Sequence, residues 1–420
     1  MKFRFSYEPK DRWSVKPPQS KSYAQRALLI ASLAAGRSKV VINDMPDDVR
    51  AMIHALKMFG VRISGNTVSG SMPLNSGRII TCGESGATIR FLTSYSTLVD
   101  SGYTVLTGKA GLLKRPIEPL INAIVNLGGL AMTLKGPYPP VIIKAQKMSG
   151  GDAVINSSGS SQYLSSILMV SPYSVNSTSI SAEGLVSRPY VDMTLHVMHR
   201  FGVDVEIKDN VYNVRKGFYR PAEFEPPADA SSAAFFMSLA LLSGRGIMLK
   251  GINGNMPQAD LLSMLEVLDK LGVPQAMNQD GLKIGESMIN GTLEVDLRNS
   301  PDSLPPLSVL GLKVRVKISG VRHARIKESD RISAISSELL KLGAIVEESP
   351  DSITIAPPVN PRKGIKLNGW NDHRIVMAMS VADAALELGS TIENYENVSK
   401  SYPRFFEDMA GLGYRVVPVE

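Results

Sequence analysis

Six Leu-Gly or Phe-Gly pairs along this chain, ending at Gly60, Gly128, Gly202, Gly272, Gly343 and Gly413, recur at intervals of 68 to 74 residues. Self-similarity at a fixed period constrains a fold more than any local propensity, because each repeat is one supersecondary unit that cannot bury its apolar face alone. Each of these glycines follows a helical pattern and stands where a left-handed cap residue is wanted. Upstream in every unit lies another helix-start signal: Ser20-Lys21-Ser22, Glu84-Ser85-Gly86, Gly159-Ser160-Ser161, Asp229-Ala230-Ser231, Pro301-Asp302-Ser303 and Asn371-Asp372-His373. Two helix N-termini per unit follow. Unpaired amides and the positive end of the dipole make such termini ready anion sites.

The fourth unit shows the internal order. Ala233 to Met237 opens an apolar helix that stops at Gly244, Ile247-Met248-Leu249 reads as a strand, and a second helix carries Leu261, Leu262, Leu265, Leu268 and Leu271 as its apolar face. Gly36, Gly102 and Gly389 read as caps closing the first helices of other units. The pattern is helix, strand, helix, strands. At 420 residues the chain suits two α/β domains of three units each. The best linker is Phe224-Glu225-Pro226-Pro227, and Lys16-Pro17-Pro18-Gln19 is a similar break. Domains over 17–226, and over 1–16 joined with 227–420, are predicted.

Composition narrows the class. Hydrophobic residues make up 44% and charged residues 20%, the balance of a globular protein and not of a disordered one. The most apolar stretch, Ala233 to Leu242, is about half of what a bilayer span requires. The N-terminus has no apolar signal core. Cys82 is the single cysteine, so neither an intramolecular disulfide nor a multi-cysteine metal site can form. A cytoplasmic enzyme, without metal ligand set or cofactor motif, is the expectation. The 46 basic residues against 39 acidic give a net charge of +7, suited to small anions; no basic run or aromatic-interleaved strip favours nucleic acid.

The second helices begin at Asp47-Asp48, Lys114-Arg115-Pro116, Ser187-Arg188-Pro189, Pro257-Gln258, Lys327 to Arg331, and Lys400-Ser401-Tyr402-Pro403. Four of these six starts carry Lys or Arg, which oppose the helix dipole and call for a compensating anion. One such side chain is readily explained by snorkelling into solvent; repetition at matching positions is not. Glu328 and Arg331 are three apart and meet on one helix face. A lone histidine is more often structural than catalytic, but His373 stands between Asp372 and Arg374 at a helix start. Lys21-Ser22 with Arg26 makes a clamp for phosphate or carboxylate, and Ser160-Ser161-Gln162 offers neutral donors two units on.

These stretches, with Gly83-Glu84-Ser85-Gly86 and Arg90, resemble in order and over essentially the whole chain the 5-enolpyruvylshikimate-3-phosphate synthase family, the enolpyruvyl transferases of the shikimate pathway to aromatic amino acids. The resemblance implies an inside-out α/β barrel type of fold, with two domains of three βαβαββ units and an active site in the interdomain cleft. It implies transfer of the enolpyruvyl group of phosphoenolpyruvate to the 5-hydroxyl of shikimate 3-phosphate through a tetrahedral intermediate, in a monomer without cofactor. Carried over, Lys21, Gly86, Arg115, Gln162, Arg331, Arg374 and Lys400 surround phosphoenolpyruvate. Ser22, Arg26, Ser160, Ser161, Gln162, Ser187, Tyr190, Asp302, His323 and Lys327 hold shikimate 3-phosphate. Asp302 and Glu328 are implied as base and acid, with Lys21 and His373 also catalytic. The substrates bring two phosphates and two carboxylates, which Arg forks match in bidentate fashion, each charge-assisted bond worth roughly 1.5–3 kcal/mol.

The chain departs from the family pattern at Gln19, Glu84, Ala87 and His323. A sister transferase acting on UDP-N-acetylglucosamine shares the repeats but carries a cysteine in the loop before its Arg-Pro; residues 108–114 here have none. An RNA 3′-phosphate cyclase reading lacks its nucleotide site and histidine motif. A non-catalytic scaffold would not need so many Arg, Lys, Asp and Glu at helix starts.

Overall fold

In the third unit the strand Gly151–Asn156 runs parallel to Thr178–Glu183, with helix Gln162–Val170 crossing between them. Helix Arg188–Arg200 then leads into an antiparallel pair, Val205–Lys208 and Val211–Val214, the second of which lies against Thr178–Glu183. The parallel pair needs a helical crossover and the antiparallel pair only a tight turn. The computed structural model, which describes residues 2–8, 10–70 and 78–419, contains six four-stranded sheets with this one strand order. Each unit is βαβαββ.

Three of the sheets borrow strands from distant sequence. Glu223–Phe224 pairs in parallel with Gly36–Val40 and completes the first unit. Trp13–Val15 does the same for Ile247–Lys250 in the fourth, and Lys2–Tyr7 lies between Thr391–Glu393 and Tyr414–Val419 in the sixth. The chain divides into two compact units, Ser20–Pro226 (the N-terminal unit) and Met1–Gln19 with Pro227–Glu420 (the C-terminal unit). The first crossing thus falls after Gln19, not at Pro17. Pro18 and Gln19 stay with the C-terminal unit because the Pro18 carbonyl accepts from Asp229 N–H and Gln19 bridges Ala228.

Inside each unit the first helices are the core and the sheets the outer wall. Every residue from Ala230 to Leu242 is buried, as a helix apolar all round must be. It packs on His373–Leu386, just as Gly86–Tyr95 packs on Gln162–Val170 in the N-terminal unit. The second helices are amphipathic. Ala259–Lys270 buries Leu261, Met264, Val267 and Leu268, whereas Leu262 is 65% exposed, because 100° per residue carries it off the face that Leu261 defines.

All six repeat glycines have φ between 63° and 103°, the conformation an L side chain resists, and each directly follows the C-cap of a second helix. The other glycines do less. Ala34, Ser96 and Glu387, not Gly36, Gly102 and Gly389, are the C-caps of the first helices concerned, Glu387 taking the left-handed conformation at φ 48°. In the fifth unit the first helix is reduced to Leu304–Ser308, flanked by 3₁₀ turns, since Pro305 and Pro306 supply no N–H to prolong it. In the sixth unit Lys400 ends a 3₁₀ turn and the second helix starts only at Phe405.

Trp13 ties the N-terminal segment to the C-terminal unit: it is 4% exposed, meets Tyr414 edge-on at 5.8 Å and carries Arg245 over its ring at 5.3 Å. Trp13→Ala is expected to lower the unfolding free energy by about 3–5 kcal/mol in urea titration, the usual cost of emptying a buried aromatic position.

Candidate active site

In the C-terminal unit the N-termini of the three central helices are bound to one another by side chains. Arg374, in the first turn of His373–Leu386, donates to Ser231 Oγ at 2.9 Å in the first turn of Ala230–Ser243, and to Asp302 Oδ2 at 2.9 Å in the turn before Leu304–Ser308. Ser231 is held in turn by Asp229, which accepts from its hydroxyl at 2.7 Å and caps the same helix through Ser232 N–H at 3.0 Å. The three helix starts are therefore brought to one place, with their dipoles' positive ends beside it.

Arg331 is the hub of that place. It opens helix Arg331–Lys341, is 1% exposed, and donates from Nε to Asp372 at 2.9 Å, from Nη1 to Asp302 at 2.7 Å and from Nη2 to Glu328 at 2.9 Å. Burial alone would favour loss of its proton, but the three carboxylates outweigh burial and hold the guanidinium firmly charged. The second Glu328 oxygen lies 3.1 Å from Lys400 Nζ. Burial would likewise raise Asp302, yet Arg374, Arg331 and Lys327 hold it well below the usual carboxylate range. Asp372, wholly buried, also caps His373–Leu386 by accepting from Arg374 N–H at 2.9 Å. Its approach is fixed by Trp370 and Asn371, both left-handed at φ 52° and 51°. Buried Glu338 pins that turn, accepting from Asn368 N–H at 2.9 Å and Trp370 Nε1 at 2.8 Å. Backbone held in such conformations marks positions that the surroundings over-determine.

His373 is 1% exposed, its Nδ1 3.6 Å from Asp372. His323 sits in the 3₁₀ turn Arg322–Ile326; burial first, then Lys327, push its imidazole down to about 3, so it is neutral at working pH.

The N-terminal unit repeats the convergence with different chemistry. Gln25, on helix Lys21–Leu33, donates to Ser85 Oγ and Thr88 Oγ1, each at 3.0 Å, at the start of Gly86–Tyr95. Arg90 donates to Gln162 Oε1 at 2.8 Å at the start of Gln162–Val170. Gly86 lies where these groups meet: a Cβ there would come within 3.0 Å of Arg115 Nη1 and 3.4 Å of Arg90 Nη1. Lys21 Nζ reaches Asp48 at 2.7 Å. Arg26, 1% exposed, donates to Thr194 Oγ1 at 2.7 Å, Ser22 O at 2.8 Å and Tyr190 O at 3.0 Å, and lies over Phe91 at 5.0 Å. Among the described residues no carboxylate pairs with Arg26. Burial lowers its pKa to about 10, which still leaves it charged. A buried guanidinium on neutral acceptors, with N–H groups to spare, is a receptor for an anion. Ser160, Ser161 and Ser187 are buried nearby in the sequence of this unit, Ser160 Oγ accepting from Gln162 N–H at 3.2 Å and Ser187 standing left-handed at φ 56° before Arg188–Arg200. Glu84 folds against the loop before Arg115, since a Cβ on Gly111 would lie 2.7 Å from its Oε2.

The sequence-predicted residues fall into these two sets. Lys21, Ser22, Arg26, Gly86, Arg115, Gln162, Ser160, Ser161, Ser187 and Tyr190 belong to the N-terminal unit; Asp302, His323, Lys327, Glu328, Arg331, His373, Arg374 and Lys400 belong to the other. Asp372 as a third carboxylate on Arg331, the Asp229–Ser231 support of Arg374, and the buried Asp260 carry no distinctive local signal. Asp or Ser at a helix start reads as a cap until the partner is seen.

With this geometry in hand, comparison with known proteins is decisive. The sequence model of EPSP synthase (3-phosphoshikimate 1-carboxyvinyltransferase) matches residues 12–409. The chain belongs to that family. It is 37% identical over 414 residues to the 3-phosphoshikimate 1-carboxyvinyltransferase of Nitrosopumilus maritimus (strain SCM1) and 38% identical over 412 residues to that of Korarchaeum cryptofilum (strain OPF8), in each case covering 96% of both chains. Among solved structures it is similar in fold to EPSP synthase from Acinetobacter baumannii, with TM-score 0.81, 24% identity and 100% coverage of both chains. The enolpyruvyl transferase NikO from Streptomyces tendae follows the same fold at TM-score 0.76 and 16% identity, over 99% of this chain and 98% of that one. Among the described residues no helix is long and apolar enough to cross a membrane, and no His, Cys, Asp and Glu are grouped to hold a metal.

The two buried arginines are predicted to differ in what their removal does. Arg331→Met strips the cation from three carboxylates and is expected to cost about 3–5 kcal/mol of stability. Arg26→Met abandons only neutral acceptors and is expected to cost no more than about 1–2 kcal/mol. Urea unfolding of both variants at neutral pH gives the comparison.

Proposed function

We propose that this chain carries out its family's reaction with the groups described above. The enolpyruvyl group of phosphoenolpyruvate goes to the 5-hydroxyl of shikimate 3-phosphate and phosphate is released. One observation carries the residue assignment: Arg331, Arg374 and Lys400, the C-terminal-unit cations assigned to phosphoenolpyruvate, are the same cations that hold Asp302 and Glu328. A cation cannot serve both partners at full strength. When phosphoenolpyruvate brings its carboxylate and phosphate, Arg331 turns its two terminal nitrogens to the substrate while Nε stays on Asp372, and the two acids are released for proton transfer.

The chemistry then follows from the positions. Asp302, relieved of its arginines, regains basicity and accepts the proton of the 5-hydroxyl as that oxygen bonds to the central carbon of phosphoenolpyruvate. Glu328, relieved of Arg331 and Lys400, takes up a proton and gives it to the methylene carbon. In the tetrahedral intermediate the new methyl group returns a proton to Glu328 as the carbon–oxygen bond to phosphate breaks, the proton taken up by Asp302 leaves by way of solvent to the released phosphate, and Lys21, Arg115, Lys400, Arg331 and Arg374 stabilise the departing charge. Gly86 and Gln162 line the phosphoenolpyruvate position, and His373 acts beside Asp372 to keep the Arg374 turn in place. Shikimate 3-phosphate sits on Ser22, Arg26, Ser160, Ser161, Gln162, Ser187, Tyr190, His323 and Lys327, the free charge of Arg26 being met by its anionic groups. Cys82 takes no part: it is fully buried and burial pushes its thiol far up, away from the reactive thiolate. On this reading the enzyme works on these small molecules as a cytoplasmic monomer, without cofactor and without nucleic acid.

Phosphate release from phosphoenolpyruvate is expected with shikimate 3-phosphate as acceptor and not with UDP-N-acetylglucosamine. Glu328→Gln keeps the shape and removes the acid, so turnover should fall by about 10²–10⁴ while shikimate 3-phosphate still binds. Turnover within a few-fold of the parent enzyme would remove Glu328 from the mechanism.

A further inference from the structure

Behind Asp302 lies a second carboxylate that the reaction as written does not use. Asp260, in the first turn of Ala259–Lys270, is 2% exposed, and its Oδ1 accepts from Ser303 Oγ at 2.8 Å, Ser303 being the residue next to Asp302. Ser263 closes the small network, its hydroxyl 3.0 Å from Ser303 Oγ and 3.0 Å from the Asp260 carbonyl. The charged groups acting on Asp260 are Asp302 on the 301–303 turn, Arg374 on His373–Leu386 and Asp229 at the cap of Ala230–Ser243. Burial and then the charge of Asp302 raise the Asp260 pKa to about 6, against the pull of Arg374 and of the Ser303 hydrogen bond. Keeping this group ionised at neutral pH therefore works against the fold. A neutral asparagine would make the same bond to Ser303 without that cost, so the carboxylate calls for a role beyond packing.

We propose that Asp260 is a positioning residue for the reaction: through Ser303 it fixes the turn that carries Asp302, and its negative charge, set behind that turn, sustains the basicity of Asp302 when the arginines move onto substrate. Asp260 itself takes no proton from substrate; the 5-hydroxyl proton goes to Asp302, and Asp260 makes its arrival there more favourable. The inference rests on the reading of Asp302 as the base.

Two consequences oppose each other in a way that a purely structural role would not produce. Because the folded-state pKa lies above the ordinary aspartate value, the group's contribution to stability is present at low pH and is lost as pH rises through about 6. Asp260→Asn should thus melt higher than the parent protein at about pH 7.5 and no higher at about pH 4. Its turnover should be lower, by roughly tenfold at pH 7.5, since one like charge moves a neighbouring pKa by about a unit and general-base efficiency follows. The ratio of parent to variant kcat should then fall toward one as pH drops below about 6, where Asp260 is neutral in both proteins; taking the ratio cancels the titration of other groups. The experiment is kcat against pH and thermal unfolding for the parent, Asp260→Asn and Asp302→Asn. A pH-independent ratio, or an Asp260→Asn variant that is less stable and equally impaired at all pH, overturns the role of Asp260 provided Asp302→Asn has lost turnover. Retained turnover in Asp302→Asn instead overturns the base assignment, and the inference with it.

Discussion

The C-terminal unit is organised around one buried guanidinium. Arg331 gives each of its three nitrogens a different carboxylate, and each carboxylate comes from a different part of the chain: Asp372 from the start of the sixth unit's central helix, Asp302 from the turn opening the fifth, and Glu328 from the loop just before Arg331 itself. Without Arg331 these acids would repel one another in a site nearly closed to water, and the helix starts that carry them would lose their common anchor. The arrangement also has two kinds of partner. Asp372 is wholly buried and anchors the fork, whereas Asp302 is 21% exposed in its side chain and Glu328 11%, so that the two nitrogens facing them lie on the more open side of the guanidinium.

The two units solve the same problem in complementary ways. Each gathers three helix N-termini, a position that attracts anions through unpaired amides and aligned dipoles. The C-terminal unit fills that position with its own carboxylates, each paired with a cation. In the N-terminal unit Arg26 rests on a hydroxyl, two carbonyls and an aromatic face, and no carboxylate among the described residues neutralises it.

Much of this was legible in the sequence because the repeat rests on backbone conformation. The six glycines after the second helices could not be other residues without strain, so they mark the period even where the rest of each unit has diverged. The repeated cations were legible as a pattern, but only some stand at true helix starts: Arg188 and Arg331 each open a second helix, where local energetics disfavours a cation, whereas Lys114-Arg115 and Lys400 lie at the ends of 3₁₀ turns that precede theirs. What sequence could not supply was pairing over distance. The first and last strands of the sixth sheet, the strand Trp13–Val15 in the fourth, and the contacts of Asp229, Asp260 and Asp372 join residues tens to hundreds of positions apart, and no local pattern encodes them. Helix faces erred where an apolar run was longer than the buried stripe, as at Leu262. Capping erred at Glu387, where a side chain accepts a conformation that glycine would adopt more readily.

The central claim, that the arginines leave the acids for substrate, is tested most directly by the crystal structure of Glu328→Gln with shikimate 3-phosphate and phosphoenolpyruvate both bound. The account predicts Arg331 and Arg374 on the anionic groups of phosphoenolpyruvate, Nε of Arg331 still on Asp372, and the 5-hydroxyl within about 2.6–3.2 Å of an Asp302 carboxylate no longer gripped by both arginines. Asp302 still clamped by Arg331 and Arg374 with both substrates in place would contradict it.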